Sequence, residues 1–96
     1  MDLMTLDLLK QQINKVILQI GEQYRQNPKP ILELILKRYR NALDVINNNE
    51  PDSLKQGQFN IIGGVRAYLD SSSDYNNPIL EEMYKAEQLV KHLFPF

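Results

Sequence analysis

Apolar residues recur along this chain at steps of three and four, the period of an amphipathic helix, and no stretch alternates as a strand would. Leu6, Leu9, Ile13, Val16, Ile20 and Tyr24 share one face of a helix expected over about 2–25. Asn27-Pro28-Lys29-Pro30 stops it and starts the next, because proline breaks a helix interior but fits its first turn. Ile31, Leu32, Ile35, Leu36, Tyr39, Ala42, Leu43 and Ile46 then mark a second helix over about 30–47, closed by the polar run Asn47 to Pro51.

A third helix is expected over about 53–70, capped by Asp52 or Ser53 and read through Leu54, Phe59, Ile62, Val65 and Leu69. The fourth, over about 78–94, has the clearest start: Asn77-Pro78 with Glu81 and Glu82 in the first turn, and Lys91 and His92 at the far end. Its stripe is Ile79, Met83, Ala86, Val90 and Leu93. Short connections make neighbours antiparallel, so the fold class is all-α, an antiparallel up-down four-helix bundle in one domain over 1–96. A three-helix core with a displaced first helix is the alternative.

Within the third stretch, Gly63 and Gly64 interrupt what reads as helix interior, at a cost of roughly 0.8–1 kcal/mol each against alanine. On a helical wheel they join Asn60, Ala67 and Ser71 in a stripe of small residues opposite the large apolar ones. Such a stripe admits another backbone or molecule closely, from this domain or from a partner, and a local kink or break of the helix is the third reading. Arg66 and Asp70, four apart, can pair across one turn or bind charges on a partner, and Tyr75 follows in the loop Asp70-Ser71-Ser72-Ser73-Asp74-Tyr75. Gly63, Gly64, Arg66, Asp70 and Tyr75 are therefore the candidate partner-binding residues, the partner being another protein or a second copy of the chain.

Composition narrows the chemistry. With 43% hydrophobic and 24% charged residues, the 96-residue chain has the makeup of a globular domain. It has no cysteine, so disulfides, thiolate metal sites and cysteine nucleophiles are excluded. One histidine, with serines confined to loop contexts, gives no recognisable nucleophile-base pair, so no enzyme and no cofactor are expected. The Asp70 to Tyr75 loop lacks the glycine and terminal glutamate of a calcium loop, and no metal is expected.

The net charge of −1 argues against nucleic acid. Residues 1–48 carry seven basic and five acidic groups and residues 49–96 four and seven, but the one basic cluster, Lys37-Arg38-Tyr39-Arg40, fans around its helix. No apolar run reaches the ~18 residues of a membrane span, and no export signal is evident; a cytoplasmic location is expected. Phe94-Pro95-Phe96 is expected to fold back onto the bundle.

A short, cysteine-free chain of four amphipathic helices resembles the small bacterial immunity proteins that protect against bacteriocins and other toxins, over its whole length and in helix order. The resemblance implies a non-enzymatic module that binds a protein, immunity or antitoxin-like; it transfers no site residues, and the basic tail of some such proteins has no counterpart in KHLFPF. Two other functions are compatible with the residues: a sensor or carrier holding a small molecule near the glycines, and a weak nucleic-acid binder using Lys37, Arg38 and Arg40.

Overall fold

The computed structural model describes residues 3–94, and among them all regular structure is helical. Four α-helices form an up-down bundle: α1 Leu3–Gln26, α2 Pro30–Asn48, α3 Gly64–Ser71 and α4 Ile79–Leu93. The start expected at residue 2 and the tail residues Pro95 and Phe96 lie outside the described residues. Phe94 is buried and its ring stacks on Phe59, centroids 5.0 Å apart and planes 8° from parallel.

α1 is the spine, packing extensively on both α2 and α4. Leu6, Leu9, Ile13, Val16 and Ile20 are all buried, so the three- and four-residue steps do mark its core face, while Tyr24 is only partly covered. Full burial of such aliphatic side chains stabilises by about 1.5–3 kcal/mol each, which holds α1 between its neighbours. Gln12 and Lys15 of α1 reach Glu82 at the start of α4, and Gln23 reaches Asn77 just before it, so the two helices run antiparallel.

Glu82 is nearly buried between them. Its carboxylate accepts from Gln12 Nε2 at 2.9 Å and pairs with Lys15 at 3.1 Å and Lys85 at 3.3 Å. The Gln12 hydrogen bond and the two ammonium groups hold its pKa down at about 2, against the opposing effect of burial.

The third helical stretch departs from expectation. Instead of a helix over 53–70, the chain makes two 3₁₀ turns, Pro51–Ser53 and Gln56–Gln58, then irregular backbone, and α3 begins only at Gly64. Leu54, Phe59 and Ile61 are buried from this non-helical segment. Apolar residues spaced by a few positions reach the core from irregular backbone as well as from a helix, which is why the period misled. Gln56 secures the segment: its Nε2 donates to the carbonyls of Lys91, in the last turn of α4, and of Phe94 just beyond it, at 3.1 and 2.8 Å, where carbonyls lack helical partners.

Candidate interaction surface on the third helix

α3 has only eight residues, too short to be stable on its own propensity, and the structure pins it at both ends. At its start, Gly63 takes the left-handed conformation with φ 91°, open to glycine and strained for other residues. Gly64 has ordinary φ but is buried, and a Cβ there would lie 3.2 Å from Met83 Cε. The two glycines thus answer two separate demands, left-handed backbone at Gly63 and close packing against the Met83 side chain at Gly64.

The elbow they make is held by Glu87 of α4. One carboxylate oxygen accepts the Gly63 N–H at 2.8 Å and the other the Val65 N–H at 3.0 Å. A side chain from another helix therefore caps α3, and its charge sits at the positive end of the α3 dipole. Beneath it, Tyr39 of α2 is fully buried, its hydroxyl directed at the Met83 carbonyl at 3.4 Å. Burial, and then the Glu87 charge, push the Tyr39 phenol well above its ordinary range, so it remains neutral.

At the other end, Tyr68, Asp74, Asn77 and Gln23 form one network. The Tyr68 hydroxyl donates to Asp74 Oδ2 at 3.2 Å and accepts from Asn77 Nδ2 at 2.9 Å. Asn77 and Gln23 exchange amide hydrogen bonds at 2.7 and 2.8 Å, and Asn77 Oδ1 also accepts the Ile79 N–H at 3.1 Å, which caps α4. The loop from Ser72 to Pro78 is therefore tied to the ends of three helices.

The expected site residues divide on this frame. Gly64 is a correction: it packs inside the domain against Met83 and Glu87 and offers no surface. The small-residue stripe presupposed one continuous helix, and Asn60 and Gly63 precede α3. Gly63 is exposed, yet its N–H is committed to Glu87.

Arg66 and Asp70 are both exposed, one turn apart on the outer side of α3. They form no ion pair with each other, unlike Lys37 and Glu33 on α2, whose charges meet at 3.5 Å. Tyr75 is 66% exposed in the loop that follows. The structure thus gathers Arg66, Asp70 and Tyr75 on the segment that the buried polar groups hold, and removes Gly64 from it.

Other features carry less. The Lys37 to Arg40 cluster splays, with Tyr39 in the core and Arg40 exposed. His92 is exposed in the last turn of α4. No group of three or more His, Asp or Glu suited to hold a metal occurs among the described residues. The main surface grooves lie along α1 and at the bundle end, and none is lined by Gly63 or Gly64, as a carrier pocket beside the glycines would require. Among the described residues no helix is long and apolar enough to cross a membrane.

Sequence reasoning missed Glu87, Gln56 and Gln23. For Glu87 a signal was present: it falls four residues after Met83 and three before Val90, a carboxylate on the flank of a core stripe.

Comparison with known proteins finds a match over residues 4–94 to the family described as "YeeD uncharacterised protein". The "Uncharacterized protein YeeD" of Bacillus subtilis (strain 168) is 37% identical over 89 residues, covering 88% of this chain and 87% of that protein. No solved structure matches.

Proposed function

We propose that this chain, which belongs to the YeeD family of uncharacterised proteins, is a non-enzymatic module that presents α3 and the loop after it to a partner protein. One observation carries the reading. Of the four buried polar or charged residues among those described, Gln56, Asn77 and Glu87 fasten the stretch from the second 3₁₀ turn to the start of α4, Asn77 tying it to α1 as well, while Glu82 serves the α1–α4 contact. Fixing a short helix from both sides in this way lowers the ordering cost of binding through Arg66, Asp70 and Tyr75.

The chemistry of that surface supports a charged and aromatic contact. Asp70 lies in the last turn of α3, where the helix dipole disfavours an acid and that turn carries no basic residue. A cation on the partner relieves that disfavour, a carboxylate engages the Arg66 fork, and Tyr75 supplies amphipathic area. Within this class the role is immunity- or antitoxin-like and cytoplasmic, a reading supported by the cysteine-free four-helix format.

The test is quantitative affinity capture from source cells, with the native chain and an Arg66→Glu, Asp70→Lys, Tyr75→Ala variant as baits. All three positions are exposed, so the variant is expected to melt as the native chain does. A protein retained by the native bait and lost from the variant supports the reading, whereas equal recovery by both removes this surface from it.

A further inference from the structure

The outer face of α1, away from the core, carries a second periodic stripe of exposed residues. Met4, Leu8, Gln11, Lys15, Leu18 and Glu22 follow one another at alternating steps of four and three, the spacing of a coiled-coil seam, and all six are exposed. Three are large apolar residues standing well out of the surface: Met4 at 77%, Leu18 at 74% and Leu8 at 54% exposure.

From this arrangement we infer that the outer face of α1 is a self-association surface, on which a second copy of the chain docks antiparallel about a two-fold axis between Gln11 and Lys15. The order of residues selects that occupant. Leu8, Gln11, Lys15 and Leu18 are spaced three, four and three, which reads the same in either direction. The two-fold axis therefore sets Leu8 against Leu18 of the second copy, and Gln11 against its Lys15, twice over. A two-fold interface demands this kind of self-complementarity.

Charge selects the direction. A parallel pairing stacks Lys15 on Lys15 and Glu22 on Glu22, whereas the antiparallel one sets Lys15 opposite the Gln11 amide oxygen and Glu22 opposite Met4. Lys15 already leans toward Glu82, at 3.1 Å, which draws its charge away from the axis.

A stable pair buries about 800 Å² on each side, more than one helix stripe offers, so the flanking relief has to take part. Beside Leu8 lies a groove of about 600 Å³ between α1 and α4, floored by Leu89 and rimmed by Tyr84 and His92. Leu18 of the second copy enters there. Leu18 itself borders a groove with Gln19 and Pro78, which receives the second copy's Leu8. This surface is separate from the α3 face and does not depend on its proposed role.

Two measurements on the full chain test the inference. Sedimentation velocity over a broad concentration range is expected to show a monomer-dimer equilibrium, with Leu18→Lys weakening the dimer at least about tenfold at unchanged helicity by circular dichroism. Because the chain has no cysteine, each introduced thiol is unique. A mixture of Leu8→Cys and Leu18→Cys proteins is expected to cross-link through a short bis-maleimide more efficiently than either protein alone. A chain that stays monomeric up to millimolar concentration overturns the inference, as does a cross-link favoured within each single variant, which signifies parallel pairing. A dimer indifferent to Leu18→Lys overturns it too, since its interface then lies elsewhere.

Discussion

Replacing Glu87 with glutamine tests whether α3 is held by a buried carboxylate cap. The change is nearly isosteric, so packing against Met83 and Gly64 is preserved and the effect isolates the hydrogen bonds. The carboxylate accepts two backbone N–H groups, at 2.8 and 3.0 Å, and a bond of this type to a charged group contributes about 1.5–3 kcal/mol. Glutamine keeps one acceptor but turns its NH₂ toward the other N–H, setting donor against donor. The expected loss is about 2 kcal/mol for Glu87→Gln and about 3 kcal/mol for Glu87→Ala, in which water can reach the exposed Gly63 N–H. At 4–8 °C per kcal/mol for a domain of this size, Glu87→Gln is expected to lower the melting temperature by about 8–16 °C. Calorimetry gives the shift, and amide hydrogen exchange at Val65 locates it, since loss of the cap frees that N–H first. A Glu87→Gln protein that melts within about 3 °C of the native one, with Val65 exchange unchanged, refutes the cap.

Three further outcomes follow from the same contacts. Gly63→Ala is expected to destabilise by about 1–2 kcal/mol because φ is 91°, while Gly64→Ala stays within about 1 kcal/mol of neutral if the flexible Met83 methyl yields, so that urea midpoints separate the two glycines. The Glu82 carboxyl falls from an ordinary 4.5 to about 2 on folding, so its contribution is present above pH 4.5 and lost as pH falls toward 2; Glu82→Gln is expected to flatten the stability profile in that window, measured by urea unfolding. Asn77→Ala breaks four hydrogen bonds and is expected to cost about 2–3 kcal/mol, against about 1 kcal/mol for Tyr68→Phe, by calorimetry on both variants.

Helices whose apolar stripe is long and whose ends carry proline were legible in the residues. α1, α2 and α4 fall within a residue or so of the expected spans, because Leu6 to Ile20, Leu32 to Ile46 and Ile79 to Val90 have no competing way to reach a core. The third was not. Leu54, Phe59, Ile61 and Tyr68 are buried, yet only Tyr68 lies in a helix: the second 3₁₀ turn and a left-handed glycine separate Leu54 from it, and the glycine separates Phe59 and Ile61. The cost computed for two glycines inside a helix was itself the clue, since the chain avoids most of it by starting the helix there. The exposed members of the candidate surface, Arg66, Asp70 and Tyr75, were legible as residue types on a helix edge and a turn. Their support was not, because the partner of Gly63 and Val65 lies more than twenty residues away in sequence, and a place on the flank of a core stripe does not say which N–H groups the Glu87 carboxylate meets.

The placement of α1 between α2 and α4 also governs how the chain is made. Synthesis delivers α1 first and α4 last, so an α1–α2 hairpin forms while the flank of α1 that α4 will cover, around Gln12 and Val16, still faces water. Glu87 arrives later still, and until it does the glycine elbow has no cap. A chain cut after Ser71 is therefore expected to present a hairpin with an open apolar side and an unsecured third helix, a species prone to aggregation, and productive folding waits on α4.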